Sequence, residues 1–104
     1  LHKKLHFYWG DRNIKNSYPI LLTPDVTGFT VYIPDFNINT QGDNLSEAIK
    51  MARDAIGLMG IDMEDNGKVL PIPCKTNDVK TSDGEIVTLV DVDFAEYRRK
   101  NELQ

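Results

Sequence analysis

One cysteine, two histidines and one tryptophan leave this 104-residue chain short of the residues most enzyme chemistries use. Cys74 has no second thiol to pair with, so no internal disulfide is available and nothing points to an oxidising compartment. It follows Pro71-Ile72-Pro73 without a neighbouring base or cation, and reads as a small, partly buried side chain rather than a reactive thiol. The seven glycines are scattered, so no phosphate-cradling loop is present. No apolar run approaches the roughly 18 residues a membrane-crossing helix needs. No stretch has the basic start, apolar middle and small-residue end of a secretory signal. These absences predict a cytoplasmic protein with no membrane association.

What is present is the composition of one globular domain, 40% hydrophobic and 27% charged. A domain of this length buries roughly two-thirds of the surface its unfolded chain exposes, which is enough for one modest core. The net charge of −4 is unevenly spread. Lys3, Lys4, Arg12 and Lys15 outweigh Asp11 near the start, and Arg98, Arg99 and Lys100 outweigh Glu102 near the end. Between them, residues 18–97 hold fourteen acidic and five basic side chains. Such a body repels nucleic acid and attracts basic partners, so any nucleic-acid contact is expected at the ends.

The order of elements can be read along the chain. Residues 3–9 form a candidate strand or a loose tail, and residues 1–17 read as an N-terminal extension to a single domain over 18–104. Tyr18–Thr23 predicts a strand, with Pro19 tolerated near its start. Pro24-Asp25-Val26-Thr27-Gly28 is turn chemistry. Phe29, Val31 and Ile33 then share one face of a second strand, making a hairpin. Asn37–Gln41 predicts a short third strand. Asn44 and Glu47 have the spacing of a helix cap. Leu45, Ala48, Ile49, Ala52, Ile56 and Met59 recur at helical spacing behind them, while Glu47, Lys50, Arg53 and Asp54 lie largely off that stripe. The helix is expected to run about four turns, weakened between Gly57 and Gly60 and stopped by Asn66-Gly67. Val69–Pro73 must be extended, and Lys75–Val79 suits a single helical turn. Ile86–Asp93 predicts a strand whose apolar first half suits a central position and whose Val/Asp second half suits an edge. Phe94–Leu103 closes as a short helix. The expectation is an α+β domain in the order β-β-β-α-β-α.

Few constellations could carry chemistry. Asp91 and Asp93 point the same way on a strand and, with Asp35 or Asp43, could gather divalent metals for phosphoryl transfer. The same pair also reads as a solvated face, and the main helix offers the core only alkyl groups. His2 and His6 have helical metal-pair spacing in a segment that does not read as helix and lacks a third ligand. Phe7, Tyr8 and Trp9 among basic residues could stack bases, or bury one face of an extra strand. No cofactor and no metal is expected.

The pattern as a whole resembles the HicB antitoxin family. The resemblance lies in Tyr18-Pro19-Ile20, Pro24-Asp25, Val31-Tyr32-Ile33-Pro34-Asp35-Phe36, Thr40-Gln41-Gly42-Asp43 and Leu45-Ser46-Glu47-Ala48, with Ala52 and Ala55. It continues through Leu70-Pro71-Ile72-Pro73 and Leu89-Val90-Asp91-Val92-Asp93-Phe94 to Tyr97-Arg98-Arg99-Lys100. It covers about residues 18–100. It implies a partial ribonuclease-H-like fold without nuclease activity: a three-stranded antiparallel meander, a helix and a further strand. It also implies a non-enzymatic antitoxin that occludes the active surface of HicA, a small basic toxin that cleaves mRNA using a histidine. Many members of the family add a C-terminal helix-turn-helix or ribbon-helix-helix domain that binds their own promoter. With the sequence ending at Gln104, DNA binding of that kind is not expected of it.

The acidic body is suited to a basic toxin, because charge complementarity raises the on-rate and sharpens discrimination. Expected contact residues are the acidic and aromatic groups at strand ends: Asp25, Asp35, Phe36, Asp91 and Asp93, with Phe36 equally suited to core packing. Sheet edges also suit a homo-oligomer. The alternative is an RNA- or DNA-binding module that uses the basic, aromatic ends.

Overall fold

Three strands run in sequence because their apolar residues alternate and polar turns separate them. The computed structural model describes residues 15–102, and the candidate strand at 3–9, His2, His6 and Phe7-Tyr8-Trp9 lie outside them. The order is β1 (Lys15–Asp25), β2 (Gly28–Ile33), β3 (Ile38–Gly42), α1 (Leu45–Asp65), a 3-10 turn (Thr76–Asp78), β4 (Ile86–Asp93) and α2 (Phe94–Glu102). The strands form one antiparallel sheet in the order β3-β2-β1-β4. The β1–β2 turn is fixed by Asp25, whose Oδ1 accepts from the backbone N–H of Thr27 at 2.9 Å and of Gly28 at 3.0 Å.

Strand β1 starts at Lys15, before the expected Tyr18, because Lys15, Asn16 and Ser17 pair with Asp93, Val92 and Asp91. Strand β4 departs further from expectation. Its apolar first half suggested a central place, yet it pairs with β1 alone among the described residues and forms an edge. Ile86 and Leu89 are accordingly 45% and 54% exposed. The centre is taken by β1, which pairs on both sides.

One face of the sheet carries the core. Tyr18, Ile20 and Leu22 of β1, Val31 and Ile33 of β2, and Val90 and Val92 of β4 are buried against Ala48, Ala52 and Ile56 of α1, with Phe94 at the start of α2. Small alanines let α1 lie close, and Gly42 of β3 allows the closest approach. A Cβ there would sit 2.4 Å from the Ala48 backbone nitrogen. The N-terminus of α1 is capped as the sequence predicts. Asn44 Oδ1 accepts from the Glu47 N–H at 2.8 Å, and Glu47 Oε1 accepts from the Asp43 N–H at 2.7 Å. Its end is a glycine-closed cap. Gly67 has φ +72°, the Lys68 N–H donates to Met63 O, and the Gly67 N–H donates to Glu64 O.

The helix does not weaken at Gly57 and Gly60. It runs unbroken for 21 residues, because both glycines are contact points. A Cβ on Gly57 would lie 2.6 Å from the Tyr97 ring, and one on Gly60 would lie 2.2 Å from the Phe94 ring. Glycine costs a free helix about 1 kcal/mol relative to alanine. Here its missing side chain is what lets α2 dock.

Candidate functional site

The five residues expected to meet a partner are at different places, and each is already engaged by its own chain. Asp25 holds the β1–β2 turn. Asp35 lies in the β2–β3 turn, where both carboxylate oxygens accept from the Cys74 N–H at 3.1 Å. Phe36 packs edge-on against Tyr18, with centroids 4.9 Å apart and planes at 72°. Asp91 pairs with Arg53, which donates to its carboxylate at 3.1 Å and to its backbone carbonyl at 3.0 Å. Asp93 accepts from the Glu96 N–H at 3.1 Å, so it caps α2, and it also lies 3.9 Å from Lys15 Nζ. The register separates them: Asp93 faces Lys15 at one end of β1, and Asp25 faces Gly28 at the other. Asp25 and Asp91 remain exposed to a partner.

The titrating groups that depart from ordinary behaviour have structural causes. Burial pushes the Tyr18 hydroxyl up, and that hydroxyl donates to Pro71 O at 2.8 Å, tying the extended segment under the sheet. Burial, then the Asp35 charge, pushes the Cys74 thiol up, away from the reactive thiolate. Burial and a 2.8 Å bond to Asp54 push Tyr97 up to about 12. The Arg53 bond holds Asp91 low, and the Thr23 hydroxyl does the same for Glu85. Among the described residues, no three His, Cys, Asp or Glu side chains are grouped to hold a metal ion. No described helix is long and apolar enough to cross a membrane.

Besides a cleft of about 370 Å³ at Asn16, Glu64 and residues 68–73, α1 has two distinct surface flanks among the described residues. Between β4, α1 and α2 runs a groove of about 270 Å³ whose lining includes Lys50, Arg53, Asp54, Asp91, Asp93 and Lys100. Its charges are largely matched: Lys50 lies 3.8 Å from Asp54, and Arg53 holds Asp91. The second region is the other flank of α1, where Met51 is 38%, Leu58 50% and Met59 37% exposed. Sequence reasoning put Leu45 and Met59 on the core-facing stripe of this helix, but they are 43% and 37% exposed, because the sheet and α2 cover only the middle of that stripe, and it did not single out Met51 or Leu58. The signal for the exposed flank was there: Met51 and Leu58 are seven residues apart, two helical turns, with Ala55 between them.

Comparisons agree with this geometry. The model of the HicB_like antitoxin family of bacterial toxin-antitoxin systems matches residues 18–103. Two solved structures are similar to the chain. A chain of a toxin-antitoxin complex from Streptococcus pneumoniae is 27% identical with a TM-score of 0.70, covering 81% of this chain and 73% of that one. A chain of a HicA3 and HicB3 toxin-antitoxin complex is 25% identical with a TM-score of 0.61, covering 75% of this chain and 99% of that one. No curated protein matches the chain.

Proposed function

Because the chain belongs to the HicB-like antitoxin family, we propose that it neutralises a HicA-type, mRNA-cleaving toxin by binding over the toxin's active surface. The observation that carries this reading is the family match over residues 18–103, together with the similarity to chains of two toxin-antitoxin complexes. The arrangement of the acidic groups supports a binding role. Asp91 and Asp93, the pair a metal-dependent nuclease would need, are drawn into an ion pair and a helix cap. The partner is a small basic protein, matched to the acidic body between residues 18 and 97.

The nucleic-acid alternative draws less support. Arg98, one of the three basic residues near the C-terminal end, donates to Asp65 at 3.0 Å and to Glu64 at 3.2 Å, so it is not free to meet phosphate. Purified chain is expected to stop RNA cleavage by a HicA-type toxin at about one chain per toxin. The rate of inhibition should fall as salt rises. Full cleavage in the presence of excess folded chain would overturn the reading.

A further inference from the structure

We propose that the toxin is seated on one ridge of α1, made of Met51, Ala55 and Leu58 with Glu47 and Asp62 at its ends. The inference rests on the antitoxin reading and adds the place of contact. Residues 47, 51, 55, 58 and 62 follow one another at three- and four-residue steps, so they form a single row along the helix.

Much of the rest of the helix is engaged within the fold, although Leu45 and Lys50 are also exposed. Ala48, Ala52 and Ile56 are in the core. Gly57 and Gly60 lie under Tyr97 and Phe94. Arg53 reaches round to Asp91. α1 meets α2 and β4 with that flank, and the row starts beside β3, where Gly42 lies against the Glu47 and Ala48 backbone. Met51 and Leu58 are 38% and 50% exposed, with Met59 beside them at 37%. Three large apolar side chains exposed within about two turns is the composition of an interface centre, and methionine adapts its shape to a partner.

Charge identifies the partner. The row ends in two carboxylates and contains no cation. The helix's own cations, Lys50 and Arg53, are on the other flank beside Asp54 and Asp91. The surface therefore fits an apolar patch rimmed by Lys or Arg. A second copy fits worse. Two such ridges crossing antiparallel at Ala55 would bring Glu47 of one against Asp62 of the other, a like-charge contact.

The nearby sheet edge is consistent with this. Strand β3, Ile38-Asn39-Thr40-Gln41-Gly42, carries no charge and no proline, and among the described residues it pairs with β2 alone. Edges that are kept from pairing are usually guarded. Strand β4 is guarded, by Asp91, Asp93 and the Arg53 bond to the Asp91 carbonyl, and β3 is not.

The test is calorimetric titration of the chain against a purified HicA-type toxin, run with the RNA-cleavage assay. Wild-type chain must bind and inhibit; if it does neither, the antitoxin reading fails and the ridge with it. Met51→Glu and Leu58→Glu are each expected to raise Kd by about 30-fold or more. Their melting curves should match wild type, since both positions are exposed. The Glu47→Gln, Asp62→Asn pair should weaken binding about 3- to 10-fold at low salt and flatten its salt dependence. Leu89→Glu, on the opposite sheet edge, should leave Kd within about twofold. Wild-type affinity in Met51→Glu and Leu58→Glu, with wild-type inhibition intact, overturns the ridge and leaves the antitoxin reading standing. A change confined to self-association in light scattering, with toxin affinity unchanged, overturns it as well.

Discussion

Helix α1 has one flank completed within the chain and one left open, and the two are built from different residues. On the β4 side, glycines replace side chains so that the Tyr97 and Phe94 rings can rest on the helix. Arg53, Asp54 and Glu64 then reach across to Asp91, Tyr97 and Arg98. On the β3 side, Met51 and Leu58 stand out with carboxylates at either end. The first flank has small residues and matched charge, as a contact inside a fold requires. The second has large apolar residues and carboxylates with no cation paired to them among the described residues, which suit a contact with another molecule. Exposed hydrophobicity alone does not separate them; what the neighbouring charges are bonded to does.

The contrast can be broken most sharply at Phe94. This ring is 2% exposed, so Phe94→Ala should cost about 3–5 kcal/mol in urea unfolding. A loss under about 1 kcal/mol would mean the docked flank is no firmer than the open one. Gly60→Ala comes next, and its sign is the informative part. In a free helix the change gains about 1 kcal/mol. Here the new methyl would lie 2.2 Å from the Phe94 ring, and a net loss of about 1–3 kcal/mol is expected.

Tyr97 gives a subtler test through pH. Its folded value, pushed up to about 12, lies above the ordinary tyrosine value of about 10. Between those values the unfolded chain releases a proton that the folded chain keeps, so stability should fall as pH rises through that window. Melting temperatures of wild type and Tyr97→Phe should converge there, since the variant lacks the proton in both states. The smallest effect belongs to the open flank. Leu58→Ala should change stability by no more than about 0.5 kcal/mol, and a larger loss in thermal melts would show that this flank also supports the fold.

Much of this was legible in the chain. The alternation of Phe29, Val31 and Ile33, the Asn44–Glu47 cap and the Asn66-Gly67 stop all follow from local rules, and each is found where the local pattern put it. What local pattern could not carry was position within the sheet. The apolar run of β4 looked central, because a strand's burial depends on which neighbours it acquires, and β1 acquired two. The glycines of α1 misled for a related reason. Their cost is local, while their benefit comes from the Phe94 and Tyr97 rings, far along the chain in α2. The acidic residues were visible as charge, but their bonds to Arg53, Cys74 and the α2 N-terminus arise only from tertiary structure.

The double pairing of β1 also sets an order of events. Its register with β2 closes across one tight turn, from Asp25 to Gly28, whereas its register with β4 joins Lys15 to Asp93. Loop-closure entropy favours the first and delays the second. During synthesis the hairpin can form early, while the other side of β1 waits for Ile86–Asp93 to emerge. Until then the central strand is an unprotected edge, a template for pairing with any nascent neighbour. A chain interrupted before β4 therefore lacks Val90 and Val92 from its core and is expected to aggregate through β1.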